Sequence, residues 1–126
     1  VHNAIEYGMM QSIGEGFELL ERGPYKDLDM RKIAYLWNRG SVVRSYLVEL
    51  VEKALSKDPK LESIKGYVED TGEGRWAIQA AIDHDVPFTE LSHALFARFR
   101  SRRDSFSDKI LAALRNEFGG HAVKKA

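Results

Sequence analysis

Cysteine is missing from this 126-residue chain. Its absence excludes disulfide staples, a thiolate zinc centre and a cysteine nucleophile, and it accords with a reducing, cytoplasmic setting. Net charge is missing too: 19 lysines and arginines offset 19 aspartates and glutamates. Bulk electrostatics therefore makes no case for a nucleic-acid or membrane partner. No apolar run approaches the roughly eighteen residues that span a bilayer. No signal peptide is visible, and no segment alternates as a strand does. The histidines (His2, His84, His93 and His121) lack ligand spacing, so no metal is expected. What remains is the composition of one domain, 1–126, long enough to hold a core. The balanced charge hides an asymmetry. From Arg98 onward eight basic residues face three acidic ones, so this end is +5 and the remainder −5.

The chain is organised around its first helical stretch, Val1 to Glu21. Val1, Ile5, Met9, Ile13 and Phe17 recur every four residues and draw an apolar stripe. Ala4, Gly8, Ser12 and Gly16 draw a second stripe of small residues. Glycine costs about 1 kcal/mol in a helix interior relative to alanine, so the second stripe predicts close backbone approach by another element. Both stripes together predict a central helix buried on more than one side. Its first turns carry a polar cargo: His2 and Glu6 are four apart, as are Asn3 and Tyr7, so each pair shares a helical face. The pattern starts with no capping residue ahead of Val1, which leads us to expect a piece of a longer protein.

Arg22-Gly23-Pro24 closes this helix. Asp27 or Asp29 can cap a second, Met30 to Asn38, and Ser41 a third, Val42 to about Leu55. Leu61 to Val68 offers a short helix, and Asp70-Thr-Gly-Glu-Gly74 a flexible loop. Helices follow at Arg75 to His84, at Thr89 to about Arg103, and at Asp108 to Phe118 with Ser107 as cap. The expected architecture is an all-α bundle of about six or seven helices around the long N-terminal one. Trp37 and Trp76 are expected in its core.

Glutamate beside histidine on one helical face can serve as a general acid/base pair or as two metal ligands; ordinary contacts on an exposed turn give the same spacing. Thr71 to Arg75 has glycines but no Walker lysine, and Glu73 at its centre repels phosphate. Arg98, Arg100, Arg102 and Arg103 could grip an anion, although a solvated helix face fits the same residues, with Arg98 at the edge of the core.

Val1-His-Asn-Ala-Ile-Glu-Tyr-Gly8 closely resembles the active-site helix of the decarboxylating 6-phosphogluconate dehydrogenases, which reads K-M-V-H-N-G-I-E-Y. Further resemblances follow in order: Trp37-Asn38-x-Gly40-Ser41-x-x-Arg44-Ser45, Gly72-x-Gly74-Arg75-Trp76, Val86-Pro87 with Ala94-x-Phe96-Ala97-Arg98, and Arg115-x-x-Phe118-Gly119-Gly120-His121. The resemblance implies the helical C-terminal domain of the short bacterial type. The Rossmann cofactor domain is absent from this chain, and so is the family's catalytic lysine, which would lie two residues before Val1.

It implies roles as well. Hydride leaves C3 of the sugar acid for NAD or NADP, the 3-keto acid loses CO2, and the enediol is protonated at C1. Glu6 would be that acid. His2 and Asn3 would hold the sugar hydroxyls and position the reacting carbon, while Tyr7 and Arg98 would bind the phosphate. Arg115 and His121 would reach the neighbouring subunit's site, so a homodimer or a multiple of one is implied. The chain departs from the family at the glycine loop: Thr71 and Glu73 stand where long-form enzymes place a lysine and a threonine against the phosphate. Two other readings remain open, a stand-alone helical interaction module and a related β-hydroxyacid dehydrogenase acting on another sugar acid.

Overall fold

The computed structural model describes all 126 residues and contains six helices and no strand. They are α1 (His2–Arg22), α2 (Met30–Trp37), α3 (Tyr46–Lys57), α4 (Glu73–Asp83), α5 (Thr89–Ser101) and α6 (Phe106–Gly119). The all-α expectation holds, and the count settles at six because Leu61 to Val68 forms only turns. That segment is wholly exposed, and its local bonds are short-range: Leu61 N–H to the Asp58 carbonyl and Ile64 N–H to that of Leu61. The Asp58 carboxylate accepts from the Ser63 hydroxyl, which holds its pKa below the ordinary value.

Three helix starts differ from expectation, and one of them is α4, which opens at Glu73 inside the expected loop because Gly72 takes the left-handed turn ahead of it. The third helix begins at Tyr46, with Ser45 accepting from Val48 N–H at 3.2 Å. Ser41 instead donates to the Trp37 carbonyl at 2.6 Å and so terminates α2. The last helix is capped by Ser105, which accepts from Asp108 N–H, rather than by Ser107. Asp29, not Asp27, caps α2 through Lys32 N–H. At these caps several serines or aspartates compete for one position, and only tertiary packing chooses among them.

Helix α1 packs against α5, α4 and, less extensively, α3, while α2 and α3 pack against each other. Phe17 of α1 meets Trp37 of α2 edge-to-face at 5.4 Å. The core around α1, α4 and α5 consists of Tyr7, Ala94 and Leu95, flanked by Ile78 and Phe99. Glycine makes the close approaches possible. A Cβ at Gly8 would stand 2.7 Å from Leu91 Cδ2, and one at Gly74 would stand 2.6 Å from Tyr7 Cε2. At Gly16, by contrast, a Cβ would meet nothing within 4 Å, so the small-residue stripe is used only along its first half.

The expected burial of α1 on more than one side is not found within the chain. Only Ala4 and Tyr7 of this helix are buried, and Ile5 and Met9 of the apolar stripe are exposed. Trp76, expected in the core, is 68 % exposed, and Trp37 is only partly buried. Helix α6 has no buried residue. The chain exposes 10249 Å², whereas a compact monomer of its mass exposes about 6,800 Å².

Candidate active site

The first two turns of α1 carry the expected polar side chains, and the packing of α4 and α5 decides which of them converge. Tyr7 is buried with its ring against Gly74 of α4. The Arg98 guanidinium of α5 lies over that ring, 3.6 Å from its centroid, a cation–π contact that fixes both groups. Arg98 Nη1 also donates to the Glu69 carbonyl at 2.9 Å, and Nη2 reaches Met10 Sδ at 3.5 Å. Sequence spacing placed Arg98 at the core edge, and this is where it stands.

Gly72, at a φ of 108°, turns the chain into α4 and sets Glu73 at its first position. The Glu73 carboxylate then faces α1. Asn3 Nδ2 approaches its Oε1 at 3.4 Å, Tyr7 OH its Oε2 at 3.5 Å, and the Thr71 hydroxyl donates to Oε2. These donors, Thr71 foremost, hold the Glu73 carboxyl below its ordinary pKa. His2 Nδ1 sits 2.9 Å from Asn3 Oδ1 and 3.5 Å from Glu6 Oε2. Both neighbours offer acceptor oxygens, so Nδ1 is the ring nitrogen that donates.

Asn3, Glu6, Tyr7, Met10, Glu69, Thr71, Glu73 and Arg98 thus line one cleft of about 270 Å³. His2 stands at its rim, on the side of a shallow hollow shared with Trp76. The expected residues Arg115 and His121 are not brought to it. Both are exposed, Arg115 on α6 and His121 in the tail beyond, where His121 N–H meets the Arg115 carbonyl at 3.4 Å. A larger groove of about 610 Å³ lies along a different face of α1, lined by Ile5, Met9, Val42, Val43 and Leu91 among others. Gln11, Glu15, Arg44, Glu90 and His93 line it as well, and none of the expected site residues does. No group of three or more His, Cys, Asp or Glu side chains is arranged to hold a metal ion, and no helix is long and apolar enough to cross a membrane.

One supporting device was not legible from spacing. Asp70, with its side chain 3 % exposed, receives Arg75 at 2.8 and 3.1 Å and Arg102 at 2.8 Å. The two guanidinium groups, Arg75 first, hold its carboxyl far below the ordinary carboxylate range. Arg102 also donates to the Val68 carbonyl at 2.6 Å, and Val68 N–H donates to Ser101 Oγ at 2.9 Å. The arginine-rich end of α5 is therefore not a uniformly solvated face. Arg98 and Arg102 strap residues 68–70 to the helix and carry Thr71 and Glu73 into the cleft. The only sequence signal was a lone aspartate before the glycine loop, and its partners lie 5 and 32 residues away.

A helical domain with a polar cleft at the head of its longest helix is the class that this geometry defines. Comparison with known proteins is more specific. Residues 1–116 match the model of the 6-phosphogluconate dehydrogenase C-terminal domain, and the chain belongs to that family. It is 50 % identical to "Putative 6-phosphogluconate dehydrogenase YqeC" of Bacillus subtilis, with 99 % of this chain and 42 % of that protein covered. It is 42 % identical, with the same coverage, to the NAD(+)-dependent, decarboxylating 6-phosphogluconate dehydrogenase of Haloferax volcanii. Identity to the decarboxylating enzyme 1 of Saccharomyces cerevisiae is 35 %, with 93 % of this chain and 23 % of that protein covered. The chain thus spans about two fifths of the length of the first two relatives.

A dinucleotide does not fit the residues of this chain. The Gly-x-Gly-x-x-Gly fingerprint does not occur in it; the nearest run, Gly72-x-Gly74-x-x-Ala77, follows no strand, and the Glu73 carboxylate at that helix start opposes a pyrophosphate there.

Proposed function

We propose that this chain is the substrate-binding and dimerisation domain of a full-length enzyme that oxidatively decarboxylates 6-phosphogluconate to ribulose 5-phosphate. NAD or NADP is bound by a Rossmann domain preceding it, and the enzyme works in the cytoplasm. The observation that carries this reading is the single cleft in which Asn3, Glu6 and Tyr7 of α1 meet Arg98 of α5. Asn3 and His2 hold sugar hydroxyls and orient the reacting carbon. Tyr7 donates its phenol to the phosphate, and Arg98 binds it by charge-assisted bonds. The dinucleotide supplies the hydride acceptor.

Glu6 acts after CO2 has left. The electron pair of the broken carbon–carbon bond then lies in an enediol, and the Glu6 carboxyl gives its proton to C1 as the C2 hydroxyl loses its own to solvent, so that a C–H bond and the C2 ketone form and Glu6 is left as a carboxylate. Glu6 is 38 % exposed, open enough to reach substrate and to be reprotonated from solvent.

The dimer reading is supported by surface. The excess over a compact monomer is roughly 3,400 Å² on one chain, enough surface for the preceding domain and for one side of an obligate interface. Ile110, Leu111, Leu114 and Phe118 of α6 are all exposed, and a second copy would cover them. Arg115 and His121 then complete the neighbour's cleft, and the isolated domain is inactive. Glu6→Gln in the full-length protein tests the catalytic reading. Turnover should fall about 10²- to 10⁴-fold with an unchanged circular dichroism spectrum. Unchanged turnover sinks it in favour of a helical interaction module. A phosphate-free acid turned over equally well favours a related β-hydroxyacid dehydrogenase.

A further inference from the structure

The cleft is acidic as folded. Glu6, Glu69 and Glu73 line it, and Arg98 is the cation this chain contributes. Arg98 is already partly engaged, by the Tyr7 ring and the Glu69 carbonyl. Glu73 stands closest to the groups that would read a substrate. Its two oxygens lie 3.4 Å from the Asn3 amide and 3.5 Å from the Tyr7 hydroxyl. A substrate group that bonds either donor therefore comes within reach of Glu73 as well. The Thr71 hydroxyl and the first turn of α4 keep this carboxylate in place and ionised.

An ionised carboxylate only accepts hydrogen bonds, and it repels a second anion. A substrate end that carries a hydroxyl has a proton to donate to it. A fully ionised phosphate has none and meets like charge at close range. We propose that Glu73 is the specificity-determining residue of this cleft, favouring a sugar-acid end that donates a hydrogen bond and disfavouring a phosphate dianion. The inference rests on the function proposed above, and it says what Glu73 does to the choice between phosphorylated and unphosphorylated sugar acids. Arg98, with whatever cations a second copy brings, binds phosphate against this opposition.

The test is the ratio of kcat/KM for 6-phosphogluconate to that for gluconate, measured on the full-length protein. Glu73→Gln keeps the shape and removes the charge. It should raise the ratio by about tenfold or more, mainly through a lower KM for the phosphorylated acid. Glu73→Ser, a good residue near a helix start, should move it the same way, whereas Glu73→Asp, which keeps the charge, should move it less. A merely structural role would lower both kcat/KM values together and leave the ratio alone. An unchanged ratio in Glu73→Gln and Glu73→Ser, with the phosphorylated acid still turned over, overturns this inference and spares the proposed function. Turnover of neither acid by the unmutated protein overturns both.

Discussion

The head of α1 and the whole of α6 carry comparable motif residues under opposite physical conditions. At the head of α1, Tyr7 is held by Gly74 and Arg98, Asn3 approaches Glu73, and the Asp70 clamp ties the neighbouring loop to α5. On α6, Arg115 and the exposed apolar side chains around it belong to a helix with no buried residue. One chain thus holds one polar cleft to fixed geometry and leaves another set of side chains unplaced. Preorganisation is worth building where a group must be right before substrate arrives. Apolar surface left bare at the scale seen here marks an interaction site.

The sharpest way to break this contrast is to put charge on α6. Leu111→Asp with Leu114→Asp should leave the fold intact, because neither side chain is buried in the chain. If α6 is the dimer seam, each change removes an interface anchor of about 2 kcal/mol, and together they weaken association roughly a thousandfold. Sedimentation should then show monomers, and turnover should collapse with the dimer. Mixing this variant with Glu6→Gln subunits should not restore it, since the charged α6 prevents pairing. A dimer that survives both aspartates assigns the seam to another surface.

How much of this was legible beforehand follows the same divide. The all-helical class and the shared face of His2 and Glu6 came from local periodicity and hold, whereas Asn3 and Tyr7 each approach Glu73 rather than one another. The caps at Ser45 and Ser105 were missed by four and two residues, because adjacent serines offered the same chemistry. The exposure of Trp76, Ile5 and Met9 was not legible at all. An apolar stripe records that something covers a face, and it does not say whether the cover belongs to the same chain. Asp70 was silent for a related reason: its second partner, Arg102, is fixed by how α5 returns past the loop, not by spacing.

The clamp gives the next largest effect. Asp70→Asn leaves Arg75 and Arg102 facing a neutral, weaker acceptor, and should cost about 2 kcal/mol of stability. Its pH dependence has a definite sign. The folded carboxyl titrates far below its unfolded value of about 3.9, so between those limits the unfolded chain binds the proton and the folded one does not. Stability from this group is therefore fully present above about pH 4 and is lost as the pH falls towards the folded value. Denaturant unfolding from pH 6 down to pH 2.5 should show that loss in the unmutated protein and a smaller one in Asp70→Asn. Parallel curves would mean that the clamp is solvated and stabilises little.

The smallest effect separates two glycines of apparently similar standing. Gly74→Ala puts a methyl group 2.6 Å from the Tyr7 ring. Tyr7 cannot retreat, since Arg98 covers its face, so α4 must shift outward. The overpacking costs about 1–3 kcal/mol, against a helix-propensity gain of about 1 kcal/mol, and the net result is a less stable protein. Gly16→Ala meets nothing within 4 Å and gains the same propensity without cost, so it should stabilise by about 0.5–1 kcal/mol. Urea midpoints with unchanged slopes would measure both. Gly74→Ala should also raise the KM for substrate, because the shift of α4 carries Glu73 away from Asn3 and Tyr7, and Gly16→Ala should not. If Gly16→Ala instead weakens the assembled protein, yet stabilises the Leu111→Asp/Leu114→Asp monomer, a partner's backbone lies against that face of α1. The second half of the small-residue stripe would then serve the dimer as the first half serves the chain.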